Sequence, residues 1–401
     1  AYVLGEMERH GIAVDGDDLQ VLGVELRQQL ERLEHEAFTL AGRSFNLASP
    51  KQVGEVLFDE MKLPVKKRTR SGYSTDAEVL ERLRSHHPIA EVLLDHRRLS
   101  KLITTYTDVL HRAVNPETGR IHATFQQTGA ATGRLGTTEP DLQKTPVRSK
   151  EGQRIRRAFH APAGQQLVVA DWNQIELRLL AHFTQDAALV AAFTHGVDVH
   201  QQTAAELFGL PPEAVSREQR TIGKTVNFAT LYGQGATALS QQLGVSRIEA
   251  KQYIDRYFQL YAGVASWTEG VVAEAYGLGY VTTLLGRRRY LPLLSSRSVV
   301  ERQAGERMAA NTIIQGSAAD LCKLAMLQLA DELYERALPA RLLLQVHDEL
   351  VLEAPQEVAP DVASLLRDVM EGVGALQVPL VVDVGMGPSW AEAKSGEARP
   401  S

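Results

Sequence analysis

Two strand-like runs, far apart in the chain and each delivering an aspartate, constrain the fold more than any other feature. The first is Leu167-Val168-Val169-Ala170-Asp171. The second is Leu342-Leu343-Leu344-Gln345-Val346, then His347-Asp348-Glu349, then Leu350-Val351-Leu352. Apolar β-formers on both sides of a short polar break read as a hairpin with His347-Asp348-Glu349 at its turn. Between the two runs the pattern is helical, from Ile175 to about Arg297 and again over about 298–329. If Asp171 and Asp348 act together, strands from either side of a helical insertion must meet in one sheet. Two carboxylates on rigid strand ends suit a pair of Mg²⁺ ions, which clamp the attacking and leaving oxygens of a phosphoryl transfer. A strand-end acid is also an ordinary solvated turn residue, so other segments must decide between the two.

The rest of the chain frames these runs. Residues 1–114 read as mainly helical, with Leu19, Leu22, Leu26, Leu30 and Leu33 at helical spacing. Ser49-Pro50-Lys51-Gln52 offers an N-cap, a proline at the first helical position and a glutamine three residues past the cap. Thr75-Asp76-Ala77-Glu78 reads as a second capping box, opening a helical stretch interrupted near Pro88. Asn115-Pro116-Glu117-Thr118-Gly119 is a turn and a boundary, followed by short strands over Arg120 to Gln126 and Gln165 to Asp171. The helical insertion is broken at Gly233-Gln234-Gly235. Past the hairpin come a helix over about 356–374 and a last strand from Leu380 to Val384. The polar tail from Lys394 to Ser401 is expected to fray.

A chain of 401 residues can hold two or three subdomains with substantial cores. No apolar run reaches the ~18 residues of a membrane span, so no membrane partner is expected. The chain starts without Met, inside a helical pattern and with no signal-peptide pattern around Glu6, Glu8 and Arg9, and reads as a fragment or a processed chain. The single Cys322 rules out an internal disulfide framework and lies in an apolar helical stretch, so it reads as core. The net charge of −6 counts against a uniformly basic nucleic-acid binder. Phosphates respond to local potential, however, and cations do cluster. One cluster is Lys62, Lys66, Lys67, Arg68 and Arg70; another is Arg148, Lys150, Arg154, Arg156 and Arg157; the third is Arg287, Arg288 and Arg289.

Arg220, Lys224, Phe228 and Tyr232 recur every four residues. On an α-helix each such step advances about 40° past a full turn, so all four share a face that is cationic at its start and aromatic at its end. Such a face can hold a triphosphate and stack on a base. A core-facing amphipathic helix with two snorkelling cations would show the same spacing.

Three segments occur in a telling order: Thr132-Gly133-Arg134-Leu135, then Asp-Trp-Asn-Gln-Ile-Glu-Leu-Arg opened by Asp171, then Arg-Thr-Ile-Gly-Lys-Thr-Val-Asn-Phe-Ala-Thr-Leu-Tyr-Gly opened by Arg220. With the hairpin around Asp348 they resemble motifs A, B and C of the DNA polymerase I family (family A) and its thumb-to-palm region. The resemblance spans about residues 1–393 and is to the polymerase portion, the Klenow or large fragment, without its exonuclease domain. It implies an α+β right-hand polymerase fold with a helical thumb and fingers and an antiparallel-sheet palm. The thumb would be 1–114, the palm 115–175 and 297–401, and the fingers 176–296.

The resemblance also implies roles. Asp171 and Asp348, with the backbone carbonyl of Trp172, would hold two Mg²⁺ ions, for which Mn²⁺ could substitute, and Glu349 would support them. Lys224 would be catalytic and, with Arg220, would bind the phosphates of the incoming nucleotide. His200, in Asp198-Val199-His200-Gln201, would be a further phosphate contact. Phe228 would cover the sugar and base, Tyr232 would lie near the templating position, and Gln174 would belong to the same nucleotide site. Glu176 would crowd out a ribose 2′-hydroxyl. Arg307, Asn311 and Gln315, again spaced by four, would touch the minor groove with Arg134 and His347. Acceptors there are common to every base pair, so they report pair shape without reading sequence. Lys66, Lys67, Arg68 and Arg70 would grip the duplex from the thumb. The implied reaction is attack of a primer 3′-hydroxyl on the α-phosphorus of a dNTP, templated by DNA. The protein would act as a monomer in the bacterial cytoplasm, at the nucleoid, with an organellar or phage origin as the alternative, and with neither proofreading nor 5′-nuclease activity in this stretch.

Four positions depart from the family pattern. Trp172 stands for the usual Tyr, Ala229 for Gly, Lys144 for Asn and Thr145 for Ile. Three rival readings remain at this stage: a single-subunit RNA polymerase, a two-metal nuclease and a silent DNA-binding module. Glu176 speaks against the first, the helix from Arg220 to Tyr232 against the second, and intact Asp171, Asp348 and Lys224 against the third.

Overall fold

The strand Gln165–Trp172 is apolar from Leu167 to Ala170 because both of its faces are covered. It lies inside a four-stranded antiparallel sheet, between Glu349–Pro355 and Val382–Gly387, with Arg341–Val346 at the far edge. Successive side chains of a strand point to opposite faces. The Trp172 indole accordingly donates to the Met370 carbonyl of helix Ala359–Gly372 at 2.9 Å. Asp171 faces the other way, toward the short helix Trp390–Ser395. The computed structural model describes residues 1–65, 68–69, 72–146 and 149–395.

The chain divides into two compact parts. The larger comprises Ala1–Gly11, Ala123–Gln143 and Ala161–Ser401 and contains the sheet. Its helices after the central strand are Ile175–Thr184, Ala187–Thr194, Val199–Phe208, Arg217–Leu231, Ala236–Leu243, Arg247–Leu260 and Ala262–Leu278. The long helix Val299–Glu335 follows. At 37 residues it extends about 55 Å, and its inner face is built of small residues (Gly305, Ala309, Gly316, Ser317, Ala318) that let neighbours approach closely. The smaller part comprises Ile12–His122 and Lys144–His160. Helices Gly16–Ala41 and Ile89–Leu102 dominate it, packed over a core that includes Phe45, Leu57, Leu80 and Leu93.

The mixed helix-and-antiparallel-sheet class expected from the sequence is the one observed. Several local expectations are corrected. The N-cap near residue 76 is Asp76, whose carboxylate accepts from Val79 N–H, while Glu78 pairs with Arg82 instead of closing a capping box with Thr75. Ser49 caps as expected, but the Gln52 side chain accepts from Asn46 N–H. The stretch read as helical up to Arg297 breaks after Leu278 into a hairpin, Tyr280–Thr282 with Arg288–Tyr290. Gly279 and Gly286, both with positive φ, end the helix and make the turn. Arg120 to Gln126 is two short strands in separate sheets. The last strand is Val382–Gly387, and Glu349 opens a strand instead of sitting in the turn.

Candidate active site

The sheet register brings three acids into line. Asp171 lies opposite Glu349 on one side and Asp383 on the other. Asp348 sits in the hairpin turn after His347, whose φ of 55° is left-handed. The Trp172 N–H donates to the Asp348 carbonyl at 3.3 Å, so one backbone bond ties together the segments carrying the two aspartates. Burial, reinforced by the negative charges of Glu176 and Asp171, pushes the Asp348 carboxyl up to about 7, against the pull of Arg134 and Lys394.

Among the described residues, no group of three or more His, Cys, Asp or Glu gathers into a metal cage. Two carboxylates are nonetheless the donor set Mg²⁺ favours, because it completes its shell with water and phosphate. A cation already rests there. Lys394 donates to Asp171 Oδ2 at 3.0 Å and to Glu349 Oε2, and the Trp390 indole donates to Glu349 Oε1 at 2.5 Å. The residues therefore fit a divalent cation. Glu349, buried and held at both oxygens by the last helix, braces the turn. Lys394, read from sequence as the start of a frayed tail, belongs to this cluster.

The cationic–aromatic face lies on helix Arg217–Leu231. Ser216 and Gln219 close a full capping box at its start, one that sequence reading passed over. A Cβ at Gly223 would stand 2.4 Å from the His200 carbonyl, so this helix crosses Val199–Phe208 at a distance only glycine permits. Arg220 donates to Asp198 Oδ2 at 2.6 Å, and Lys224 is exposed one turn on. His200 is buried beside them. Asn227 Nδ2 donates to its Nδ1 at 2.9 Å, which leaves the proton on Nε2. Burial lowers its pKa to about 4, so the ring is neutral at pH 7. The His200 and Phe228 ring centroids are 5.8 Å apart, and those of Phe228 and Tyr232 are 6.2 Å apart and nearly parallel. Ala229 is buried.

Glu176 joins this helix to the sheet. It is 5% exposed, yet Arg134 Nη2 donates to its Oε1 at 2.5 Å and the Tyr232 hydroxyl to its Oε2 at 2.7 Å. Burial and the Glu176 charge raise the Tyr232 pKa far above its ordinary value, keeping the phenol a donor. The strand-to-helix turn is set by Gln174 at φ 55°, whose buried Oε1 has no hydrogen-bond partner among the described residues, and by Arg178. Arg178 donates to the Asn173 carbonyl at 2.8 Å and the Pro379 carbonyl at 2.7 Å. On the long helix, Asn311 donates to the Tyr232 carbonyl at 3.2 Å, the Arg307 stem packs on Gly233, and Gln315 is half-buried one turn on. Arg134, His347 and Asp348 share a small recess with Lys323 and Gln345.

The sequence model of DNA polymerase family A matches residues 16–392. The chain belongs to DNA polymerase family A. It is 52% identical over 394 residues to the thermostable DNA polymerase I of Thermus thermophilus and 48% identical over 395 residues to DNA polymerase I of Geobacillus stearothermophilus. Those alignments cover 98% of this chain but 47% and 45% of the relatives, so the chain spans about half their length. The solved POL domain of Pol1 from M. smegmatis, in complex with DNA primer-template and dNTP, superposes with a TM-score of 0.94 at 43% identity. That match covers 98% of this chain and 70% of the other. The fold is thus the right-hand polymerase fold.

Not every residue expected at a family A site is placed. Lys66, Lys67 and Arg70 lie outside the described residues; the backbone of Arg68 pairs with Tyr73 in a two-stranded ribbon. Two of the three basic runs are partly internal. Arg154 binds Asp18 and Glu25, Arg156 is buried, and Arg148 lies outside the described residues. Arg287 binds Asp320, Arg288 lies over the Tyr280 ring, and Arg289 donates to Thr312. Sequence reading missed Lys394, Trp390 and Arg178. Only Trp390, a large apolar residue just ahead of the polar tail, carried a visible signal.

Proposed function

We propose that this chain is a template-directed DNA polymerase that joins a dNTP to the 3′-hydroxyl of a DNA primer. The observation that carries the reading is Glu176, a buried carboxylate held by Arg134 on one side and Tyr232 on the other. It lies five residues past Asp171 and at the end of the helix that bears Arg220, Lys224 and Phe228. A nucleotide whose triphosphate lay along Arg220 and Lys224 would bring its sugar against Phe228 and Glu176. The neutral His200 would offer a phosphate a donor from Nε2, and the unpartnered Gln174 Oε1 could accept from the nucleotide. Glu176 then leaves no room for a 2′-hydroxyl, which favours this reading over an RNA polymerase.

Asp171 and Asp348, with the Trp172 carbonyl, are the residues we assign to two Mg²⁺ ions, with Mn²⁺ as a possible substitute. When bound, the metals would supply a lowered pKa for the attacking hydroxyl and charge neutralisation at the leaving pyrophosphate. The chain's own work is positioning. The sheet fixes the carboxylates, Lys224 faces the phosphates, and Arg134, Arg307, Asn311, Gln315 and His347 line the primer–template side. We assign the thumb to 1–114, the palm to 115–175 and 297–401, and the fingers to 176–296, in a monomer of the bacterial cytoplasm. No proofreading or 5′-nuclease activity is proposed for this stretch.

Primer extension tests the reading. Wild-type chain should extend with dNTPs and not with rNTPs. Asp171→Ala or Asp348→Ala should abolish extension while primer–template binding stays within a few-fold, because DNA is held mostly through its backbone elsewhere. A variant with near-wild-type turnover would sink the two-aspartate assignment.

A further inference from the structure

A second buried carboxylate lies behind the first. Asp320 sits midway along the long helix, 4% exposed, among small and apolar residues. An isolated buried charge is costly, so its partners are informative. Among the described residues, the side chains that donate to it come from the hairpin that sequence reading missed. Thr283 Oγ1 donates to Asp320 Oδ2 at 2.5 Å, and Arg287 Nε donates to Oδ1 at 2.8 Å. One turn earlier on the helix, Ser317 Oγ accepts from Leu284 N–H at 2.8 Å.

The same cluster grips the segment before Arg134. Lys323, three residues past Asp320, donates to the Gly133 carbonyl. A Cβ at Gly133, where φ is +80°, would stand 2.8 Å from Arg287 Nε. A Cβ at Gly316 would stand 2.5 Å from Thr283 Cγ2 and 3.2 Å from the Thr132 carbonyl. Helix, hairpin and segment are therefore packed without slack where Arg134 leaves the backbone, and Arg134 is the residue that meets Glu176.

We infer that Asp320 is a positioning residue for sugar selection. By holding Thr283 and Arg287 against the long helix it fixes residues 132–135, and with them the point at which the Arg134 guanidinium fastens Glu176. The inference rests on Glu176 excluding the 2′-hydroxyl. Loosening Asp320 lets Arg134 and Glu176 move together, so the nucleotide site opens toward ribose while the carboxylates at Asp171 and Asp348 stay in place.

The test compares kcat/KM for a dNTP and its rNTP in wild type, Asp320→Asn, Arg287→Met, Glu176→Ala and each of the first two combined with Glu176→Ala. Arg287 is partly exposed, so Arg287→Met carries the test if Asp320→Asn does not fold. The expected result is a dNTP preference reduced about fivefold or more in either single variant, the size of coupling usual within one contact network. No further reduction is expected on top of Glu176→Ala. An unchanged preference in the folded variants, or a reduction that adds in full to that of Glu176→Ala, overturns the inference and leaves Asp320 a packing residue. If Glu176→Ala itself keeps the wild-type preference, the gate reading fails and the inference falls with it.

Discussion

Phe228 stands half-buried between His200 and Tyr232 and has no hydroxyl to offer a nucleotide. A dideoxynucleotide lacks its own 3′-hydroxyl, so the wild-type site should discriminate against it. Phe228→Tyr supplies the missing group. One added hydrogen bond of about 1–1.5 kcal/mol should lower the dNTP-to-ddNTP incorporation ratio about tenfold. An unchanged ratio would contradict the role of Phe228 at the sugar. His200 makes a different prediction. Its folded pKa, about 4, lies below the ordinary 6.5, because burial and the cations Lys224 and Arg220 outweigh Asp198. Below pH 6.5 the unfolded chain takes up a proton the folded one refuses. The stability this histidine contributes is therefore complete above pH 6.5 and lost as pH falls toward 4. Denaturant unfolding between pH 6.5 and 5 should show His200→Gln with a shallower loss than wild type, by up to about 1.4 kcal/mol per pH unit.

At the scale of elements, the crossing of Arg217–Leu231 over Val199–Phe208 aligns the residues we assign to the phosphates. Gly223→Ala would set a methyl against two backbone atoms, the His200 carbonyl and the Ala204 nitrogen, and neither can swing away. The helices must part, at about 1–3 kcal/mol, and the dNTP KM should rise as Lys224 shifts from His200. Gly235→Ala, where an added Cβ meets nothing within 4 Å, is the control and should lie within about 0.5 kcal/mol of wild type. Equal effects from both would remove the crossing as the cause. The aromatic–cationic helix was legible because the four residues we assign to the nucleotide site share one period. The hairpin Tyr280–Tyr290 was not. Its strands are three residues each, too short for an alternation, and its Arg287-Arg288-Arg289 run reads as solvated surface although the three side chains, exposed or half-buried, are engaged by Asp320, Tyr280 and Thr312.

For the whole molecule, the sheet was the most legible part, because strands covered on both faces leave uninterrupted apolar runs. Its closing helix Trp390–Ser395 was the least legible. Trp390 stands out only as a large apolar residue ahead of a polar tail, and Lys394, four residues on, gives no sign that it will reach back to Asp171 and Glu349. The DNA grip we propose also belongs to the whole molecule, as a net charge of −6 leaves it to local clusters. Neutralising Lys66, Lys67, Arg68 and Arg70 together should make the slope of log affinity against log salt shallower, by up to about 0.9 for each phosphate no longer held. Single-nucleotide turnover at saturating DNA should barely change. Anisotropy across a salt series reads the slope, and an unchanged slope would shift the grip to other cations.

The position of Gln165–Trp172 in the sheet has a consequence for how the chain is born. Both neighbours of this strand, Glu349–Pro355 and Val382–Gly387, lie far downstream of it. At about 5–20 residues per second, a ribosome needs on the order of ten seconds or more to travel from Asp171 to Glu349. For that interval one of the most apolar segments of the chain is outside the ribosome with neither edge paired, the state in which strands recruit one another. The nascent chain should therefore lean on a holding chaperone between these two points of translation, and the acids of the candidate site should be set in place only once the strand Val382–Gly387 and the closing helix Trp390–Ser395 have followed.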